Sequence, residues 1–317
     1  MLHISIIISV YNEEKGLIHF YNELLKQIEA YSYELIFIND GSTDNSTQIL
    51  DSFCKSNALV KVIHFSRNFG HEAAMIAGID HACGDAIICM DADLQHPPHL
   101  ISDMMNEFII GNEIITMIRT SNADSGFVKK LLSKAFYSLL NKISDLKFDP
   151  NASDFFLISR RVADILRTNY RESNRYIRGI IQSIGFQKKS LYFEAPSRFA
   201  GESKYTYRKL ISFSFTAIIN NSVTPLRVGI LLGTVFGLIS VVLAIFSIVM
   251  KFIGNPVSGY STLIVFISFA FGLHFFLLGF IGEYIGNIFR QTRNRPIYLI
   301  DKVVIATNQS DSISNNQ

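Results

Sequence analysis

From its amino terminus to about residue 120 the chain alternates between two hydrophobic periods. Apolar, β-rich runs fall at Ile4–Val10, Glu34–Ile38, Val60–Phe65, Ala86–Met90 and Ile114–Ile118. Between them Glu13–Tyr31, Thr43–Ser56, Gly70–Ala82 and Pro98–Ile110 read as helices. Strand and helix repeated this way predict an α/β fold, a mostly parallel sheet with helices on both faces. Further on, a basic helix is expected from Ser125 to about Asp145, with Lys129, Lys130, Lys134 and Lys142. A strand near Phe155–Ser159, a helix over Arg175–Ile184 and a strand at Lys188–Phe193 follow. Lys204 to Asn220 places basic residues before apolar ones, the pattern of a helix lying along a membrane surface.

Beyond that point the periodicity gives way to two long apolar runs. Val228–Met250 and Ser261–Gly282 contain no charged residue, and each is long enough for the roughly 20 residues a helix needs to cross a bilayer. A short Gly254-Asn-Pro256 loop between them predicts a transmembrane hairpin rather than two core helices. The chain therefore divides into a soluble domain over 1–203, a juxtamembrane segment over 204–226, two spans within 227–285 and a tail over 286–317. The tail after Thr307 is rich in Ser, Asn, Gln and Asp, a composition that predicts disorder.

The whole-chain figures, 317 residues with 49% hydrophobic and mean hydropathy +0.25, average over this division. Arg208, Lys209 and Arg227 precede the first run, and Arg290, Arg293 and Arg295 follow the second. Only Lys251 lies between, so the positive-inside rule puts both ends in the cytoplasm and the protein in the inner (plasma) membrane. The strand-like run from His3 leads to the expectation that no signal peptide precedes the domain. Cys54, Cys83 and Cys89 show neither metal spacing nor a disulfide framework, as a reducing compartment predicts. Gly229, Gly233 and Gly237 make a small-residue stripe suited to helix contact and to a homo-oligomer.

In an open α/β sheet ligands bind beyond the carboxyl ends of the strands. Three polar motifs fall there. Tyr11-Asn-Glu13 follows the first strand, Asn39-Asp40-Gly-Ser-Thr-Asp44 the second, and Asp91-Ala-Asp93-Leu-Gln95 the fourth. Asp91 and Asp93, read by strand alternation, point the same way and reach one ion, with Gln95 as a third oxygen. Hard oxygen ligands select Mg²⁺ or Mn²⁺. Gly41 permits a tight turn, and Ser42 or Thr43 is placed to cap the next helix. Asp40 is left over from that role and is assigned to a nucleotide, and Tyr11 either stacks on its base or packs. His71 and Glu72 open a helix after Gly70, and either face the site or pack.

Ser9-Val-Tyr-Asn-Glu-Glu14, Asn39–Asp44, Ser66-Arg-Asn-Phe-Gly-His71 and Asp91–Gln95 together resemble the family 2 glycosyltransferases of GT-A fold. Arg198-Phe-Ala-Gly-Glu-Ser-Lys204, Gly282-Glu-Tyr-Ile-Gly286 and Arg295-Pro-Ile-Tyr298 narrow the resemblance to polyprenyl-phosphate glycosyltransferases. These are the bactoprenol glucosyltransferase and dolichol-phosphate mannose synthase group. The resemblance implies inverting transfer of one sugar from a nucleotide diphosphate sugar, UDP-glucose favoured, to polyprenyl (undecaprenyl) phosphate, for modification of an envelope glycan such as O-antigen. It implies donor contacts by Ser9, Tyr11, Glu13, Asp40, Asp91 and Ala92, and metal binding by Asp91, Asp93 and Gln95. It also implies an acceptor-phosphate site of Arg119, Lys129, Ser133, Arg198 and Lys204, with Asp154 and Asp93 as catalytic residues. Ser9 stands where a proline is usual, and Asn39 replaces the first of two acids. Both departures bear on which base is read rather than on the reaction.

Two alternatives share the fold or the membrane. A processive polysaccharide synthase carries a Gln-x-x-Arg-Trp motif, and this chain has no tryptophan. A non-catalytic sugar-nucleotide scaffold has no use for Asp91, Asp93, Asp154 and Arg198 together. GDP-mannose remains the alternative donor, since Gln95-His-Pro-Pro98 resembles the mannose synthase branch.

Overall fold

A computed structural model of the protein describes residues 2–120, 152–171, 177–194, 196, 224–253, 259–293 and 295–306. The chain forms two compact units. The first holds Met1–Tyr137, Lys147–Lys204 and Arg295–Gln317; the second holds Ser138–Leu146 and Tyr205–Asn294.

The first unit is built on a sheet of eight strands: β1 (His3–Val10), β2 (Ser32–Asn39), β3 (Val60–Phe65), β4 (Ala86–Asp91), β5 (Ile114–Arg119), β6 (Ala152–Ser159), β7 (Lys188–Phe193) and β8 (Ile300–Ile305). Their order is β7-β5-β6-β4-β1-β2-β3-β8. β1 pairs in parallel with β2 and β4, β2 with β3, and β5 with β7, whereas β6 and β8 run antiparallel to their neighbours. The sheet is therefore mostly parallel, as its sequence pattern predicts. Because β6 is reversed, its first residues share a lip with the carboxyl ends of β1, β2, β4 and β5.

Each face of the sheet is covered. Ile4, Ile6, Ile8 and Val10 point to one side, against α1 (Leu17–Ile28), α2 (Ser46–Ser56) and α4 (Ile101–Ile109). Helix α1 buries Leu17, Phe20, Tyr21, Leu24 and Ile28, the i, i+3, i+4, i+7 stripe of an amphipathic helix. Burying each such side chain stabilises the fold by about 1.5–3 kcal/mol. The other face, with Ile7, Ile36, Ile38, Ile87, Cys89 and Phe156, meets α3 (His71–His81), α5 (Arg160–Asn169) and α6 (Ile177–Ser183). Helix α3 is buried from Ala73 to Ile79, and its small residues let it sit close to the sheet. A Cβ added at Gly78 would meet Ile7 Cγ2 at 2.1 Å.

The segment over 286–317, expected as a tail, does more than trail. Helix α8 (Tyr260–Thr292) continues past 285, and the chain then returns to the first unit as edge strand β8 on β3. Tyr298 stacks on Phe65 with ring centroids 5.2 Å apart and donates to Asp80 at 2.8 Å. Lys302 Nζ lies 2.9 Å from Asp51. The cysteines are free, as expected.

The second unit contains α7 (Thr224–Phe252) and α8. Gly229–Met250 and Phe269–Thr292 are long and apolar enough to cross a membrane, and neither is buried in the protein. A core helix of a soluble domain would be buried. Gly229 lies against Leu277 of α8, and Gly233 and Gly237 have open space at the Cβ position. The expected helices over 125–145 and 204–220, the 254–256 loop and the end after Thr307 lie outside the described residues.

Candidate active site

Alternation along three adjacent strands fixes the centre of the site. Ser9 pairs with Asp91 across β1 and β4. Cys89 pairs with Phe156 across β4 and β6, and continuing that antiparallel register by two places sets Asp154 beside Asp91. Ile7, Cys89 and Phe156 are buried under α3, so two residues onward Ser9, Asp91 and Asp154 lie on the same face, where α3 begins. The first residue of α3 is His71.

His71 joins these groups. Its Nδ1 is 2.9 Å from Ser9 Oγ and 3.4 Å from Asp91 Oδ1, and its Nε2 is 3.4 Å from Asp154 Oδ2. The Ser9 hydroxyl donates to Asp91 Oδ1 at 2.8 Å. Arg178 of α6 approaches Asp154 from the other side, its Nε 2.8 Å from Oδ1. Glu72 Oε2 accepts the Ile177 amide at 3.0 Å and so seats the start of α6. Burial opposes a charge on His71, but Asp91 and Asp154 outweigh it and carry the imidazole up to about 9. Burial also pushes Asp154 upward, yet His71 and the charge of Arg178 bring it below the usual carboxylate range. For Asp91 burial is likewise overcome, first of all by the charge of His71. Glu72 is pushed up to about 7 by burial and then by Asp154. The centre thus holds two ionised carboxylates bridged by a cationic imidazole.

Beyond β4 the chain leaves extended geometry. β4 ends at Asp91, and residues 92–93 form a turn, so the expected alternation does not extend to Asp93. Leu94 takes φ +63°, which an L side chain adopts only at a cost. That bend is closed by the Gln95 amide donating to Asp93 Oδ1 at 3.0 Å. His96 is fully buried and stacks on Phe155 at 5.2 Å. Its Nδ1 accepts the Asp91 amide at 2.9 Å, which leaves the proton on Nε2, 2.7 Å from Ser153 Oγ. Burial lowers its pKa, and the ring is neutral. Arg119, at the end of β5, places Nη2 3.3 Å from His96 Nε2. Burial lowers its pKa while Asp93 and Asp91 pull it back, so the guanidinium lies within the field of both acids.

The donor set fits a divalent cation. Asp91 is ionised and its side chain 27% exposed, and Asp93 follows on the same open loop. Among the described residues no group of three His, Cys, Asp or Glu could hold a metal by itself. Mg²⁺ in particular is held by one or two carboxylates with the remaining places filled by water and substrate phosphates. Asp91, Asp93 and Gln95 match that pattern.

The second motif turns largely inward. Asp40 is buried, and its two oxygens accept the amides of Phe69 at 2.6 Å and Gly70 at 3.0 Å. Its carboxylate therefore holds the 66–70 loop that delivers His71. Burial raises its pKa against the pull of those amides. Contrary to the sequence expectation, Ser42 and Thr43 do not cap α2; Ser42 Oγ accepts the Asn12 amide, and Asp44 Oδ1 accepts the amide of Ser46 instead. A carboxylate two residues before the helix reaches its first amide, which a residue farther back does not. Asn39 donates to Thr47 and bonds His64, and His64 Nε2 in turn lies 2.9 Å from Asp51. Tyr11 is 47% exposed and does not pack. The amide of Glu13 donates to Ser46 at 3.0 Å. Ala92 is buried in the core under α1, so it offers a ligand only its main chain.

Of the residues read from sequence, the structure brings together Ser9, Asp91 and Asp154, with Asp93, Gln95 and Arg119 on the adjoining loop and strand end. Lys129, Ser133, Arg198 and Lys204 lie outside the described residues. Sequence reasoning missed Arg178 and His96 and left His71 open. His71 alone had a signal, its place at the helix start after the Ser66–Gly70 motif.

A profile of Glycosyl transferase family 2 matches residues 5–166. An uncharacterized glycosyltransferase of Synechocystis sp. is 36% identical over 302 residues, covering 94% of this chain and 95% of the relative. The SfII prophage-derived bactoprenol glucosyl transferase of Shigella flexneri is 36% identical over 304 residues, covering 95% and 98%. Among solved structures, glucosyl-3-phosphoglycerate synthase from Mycobacterium tuberculosis, in complex with Mn²⁺, UDP and phosphoglyceric acid, has 15% identity and a TM-score of 0.48, covering 69% of this chain and 76% of that one.

Proposed function

This chain belongs to glycosyl transferase family 2, and we propose that it transfers one glucose from UDP-glucose to a polyprenyl phosphate at the cytoplasmic membrane face, with inversion. The observation that carries this reading is the pairing of Asp91 and Asp154 through His71 at the open lip of the sheet. Likeness over nearly the full length to a bactoprenol glucosyl transferase supports the lipid acceptor. The two long apolar helices support a protein that meets its acceptor in the membrane.

The chemistry needs few groups. A phosphate monoester has a second pKa of about 6 and is mostly dianionic at neutral pH. Its oxygen attacks the anomeric carbon, a carbon–oxygen bond forms on one face, and the bond to the nucleotide diphosphate breaks on the other. No proton has to be removed from the nucleophile. Catalysis then rests on orientation and on charge placed where the leaving group develops it. Arg119 contributes a cation on the acceptor side, and Lys129, Ser133, Arg198 and Lys204 are assigned the same acceptor-phosphate role. Asp154, fixed and ionised, orients the sugar at its reacting carbon, and Tyr11 and Glu13 with Asp40 shape the nucleotide site. A Mg²⁺ or Mn²⁺ ion held by Asp91, Asp93 and Gln95 supplies neutralisation of the departing diphosphate. The product serves an envelope glycan, and the glycine face of α7 is suited to self-association.

The test uses the full-length protein in detergent with a short polyprenyl phosphate and radiolabelled UDP-glucose or GDP-mannose, with and without EDTA. Lipid-linked glucose that disappears with EDTA is the expected result. Lipid-linked mannose alone overturns the donor assignment, and no glycolipid from any donor overturns the reading.

A further inference from the structure

The Asp154 carboxylate lies between two basic side chains, an ion pair on each side. His71 Nε2 is 3.4 Å from Oδ2, and Arg178 Nε stands 2.8 Å from Oδ1. Both partners are sheltered, with side chains 16% exposed for Asp154 and 30% for Arg178. Such a pair differs from a surface ion pair, whose contribution is usually within about 1 kcal/mol.

Arg178 is also built into place. It lies between Ile177 and Gly179 on α6, and Ile177 and Ile181 are buried against the sheet face that α3 covers. The amide of Ile177 is held by Glu72. The adjacent residues His71 and Glu72 therefore set both ion pairs: His71 by facing Asp154, Glu72 by fixing the helix that carries Arg178. The buried face of α6 is made by Ile177, Gly179 and Ile181, and Arg178 is not part of it.

We propose, building on the transferase reading above, that Arg178 is a positioning residue that locks the Asp154 carboxylate in the orientation used at the sugar carbon. It acts through Asp154 and touches neither donor nor acceptor. Removing it leaves Asp154 tethered to His71 alone and free to rotate, so the loss falls on turnover and spares donor binding.

The experiment measures glycolipid synthesis by the full-length protein and its R178A and R178Q variants, each checked for folding by thermal melting. In R178A, kcat falls about 100-fold, the scale expected for misplacing a group near the reacting atoms, with the donor KM unchanged. Guanidinium ion at a non-denaturing concentration restores turnover to R178A. If R178A does not fold, R178Q, of similar length and uncharged, shows the same fall in kcat. Wild-type turnover in a folded variant, a rise in donor KM matching the loss, or no rescue by guanidinium overturns the inference. An inactive wild-type protein would sink the transferase reading itself, so the two failures are separable.

Discussion

Replacing Gly41 with alanine tests how the second motif is joined to the catalytic centre. Gly41 has φ +67°, and a Cβ there would lie 2.5 Å from the carbonyl carbon of Arg67 and 2.6 Å from the amide nitrogen of Asn68. Both are main-chain atoms, so no side chain can swing aside. The left-handed backbone alone costs an alanine roughly 1–2 kcal/mol. Relieving the collision requires the 66–70 loop to move away from Asp40, which holds it by two charge-assisted bonds worth about 1.5–3 kcal/mol each. Weakening one of them brings the total to about 2–5 kcal/mol. For a unit of this size 1 kcal/mol shifts Tm by about 2–4 °C, so the G41A protein melts roughly 5–15 °C lower. Gly185 is the control, with φ +85° and nothing within 4 Å of a Cβ. G185A bears only the backbone cost, about 2–8 °C. The assay is thermal melting in detergent, followed by the fluorescence of the 13 tyrosines without interference from tryptophan. Equal shifts in the two variants would refute the loop contact. The displaced loop also carries His71, so G41A loses glycolipid synthesis more steeply than G185A does.

Four further outcomes follow from the same geometry. G78A gains about 1 kcal/mol by helix propensity alone, but collision with Ile7 reverses the sign to a net loss of about 1–3 kcal/mol; thermal melts show the loss, and it shrinks in an Ile7→Ala background. The pKa of Glu72 is raised from 4.5 to about 7, so its contribution to stability is present below 4.5 and lost as pH rises through about 7; E72Q keeps an acceptor for the Ile177 amide, and its melting temperature gains on the wild type across that window. His71, raised from 6.5 to about 9, loses its contribution over the higher window, and H71Q removes that decline. D154N lowers kcat without moving the acidic limb of the pH–rate profile, which stays near the acceptor phosphate pKa of about 6; disappearance of that limb would make Asp154 the general base.

The α/β architecture was legible because each strand is a buried apolar run and each helix on the first face an amphipathic stripe. α3 was legible too, although it is buried almost all round, because Gly70 and Ala82 bracket it. What local pattern did not carry was pairing. β8 lies in a short run after two long apolar helices, and its partner β3 is more than 200 residues earlier. Reversal of β6 is equally invisible locally, yet it alone brings Asp154 to the lip beside Asp91. Arg178 follows from that reversal and from the seating of α6 by Glu72, so no reading of its neighbours could single it out. The Asp91–Gln95 acids were found from the abrupt end of an apolar strand. Their shared orientation was attributed to strand alternation, whereas the turn at 92–93 and the strained Leu94 set the position of Asp93.

An anionic acceptor and a diphosphate donor meeting at a lip lined with carboxylates pose an electrostatic problem. The arrangement of cations answers it. Asp154 is paired with His71 and Arg178, and Asp91 is paired with His71 and hydrogen-bonded by Ser9. In the proposed reaction those carboxylates would enter already balanced, orienting groups without repelling the substrates. Ser9 matters here as a departure from the usual proline: a proline has no hydroxyl to bridge His71 and Asp91, and this chain uses that bridge to hold the imidazole at the junction of the two acids. The charge left uncompensated is the one that arrives with the donor's diphosphate. In the proposed reaction a cation held by Asp91 and Asp93 would meet that need when the donor is present, so metal affinity is expected to rise with donor occupancy.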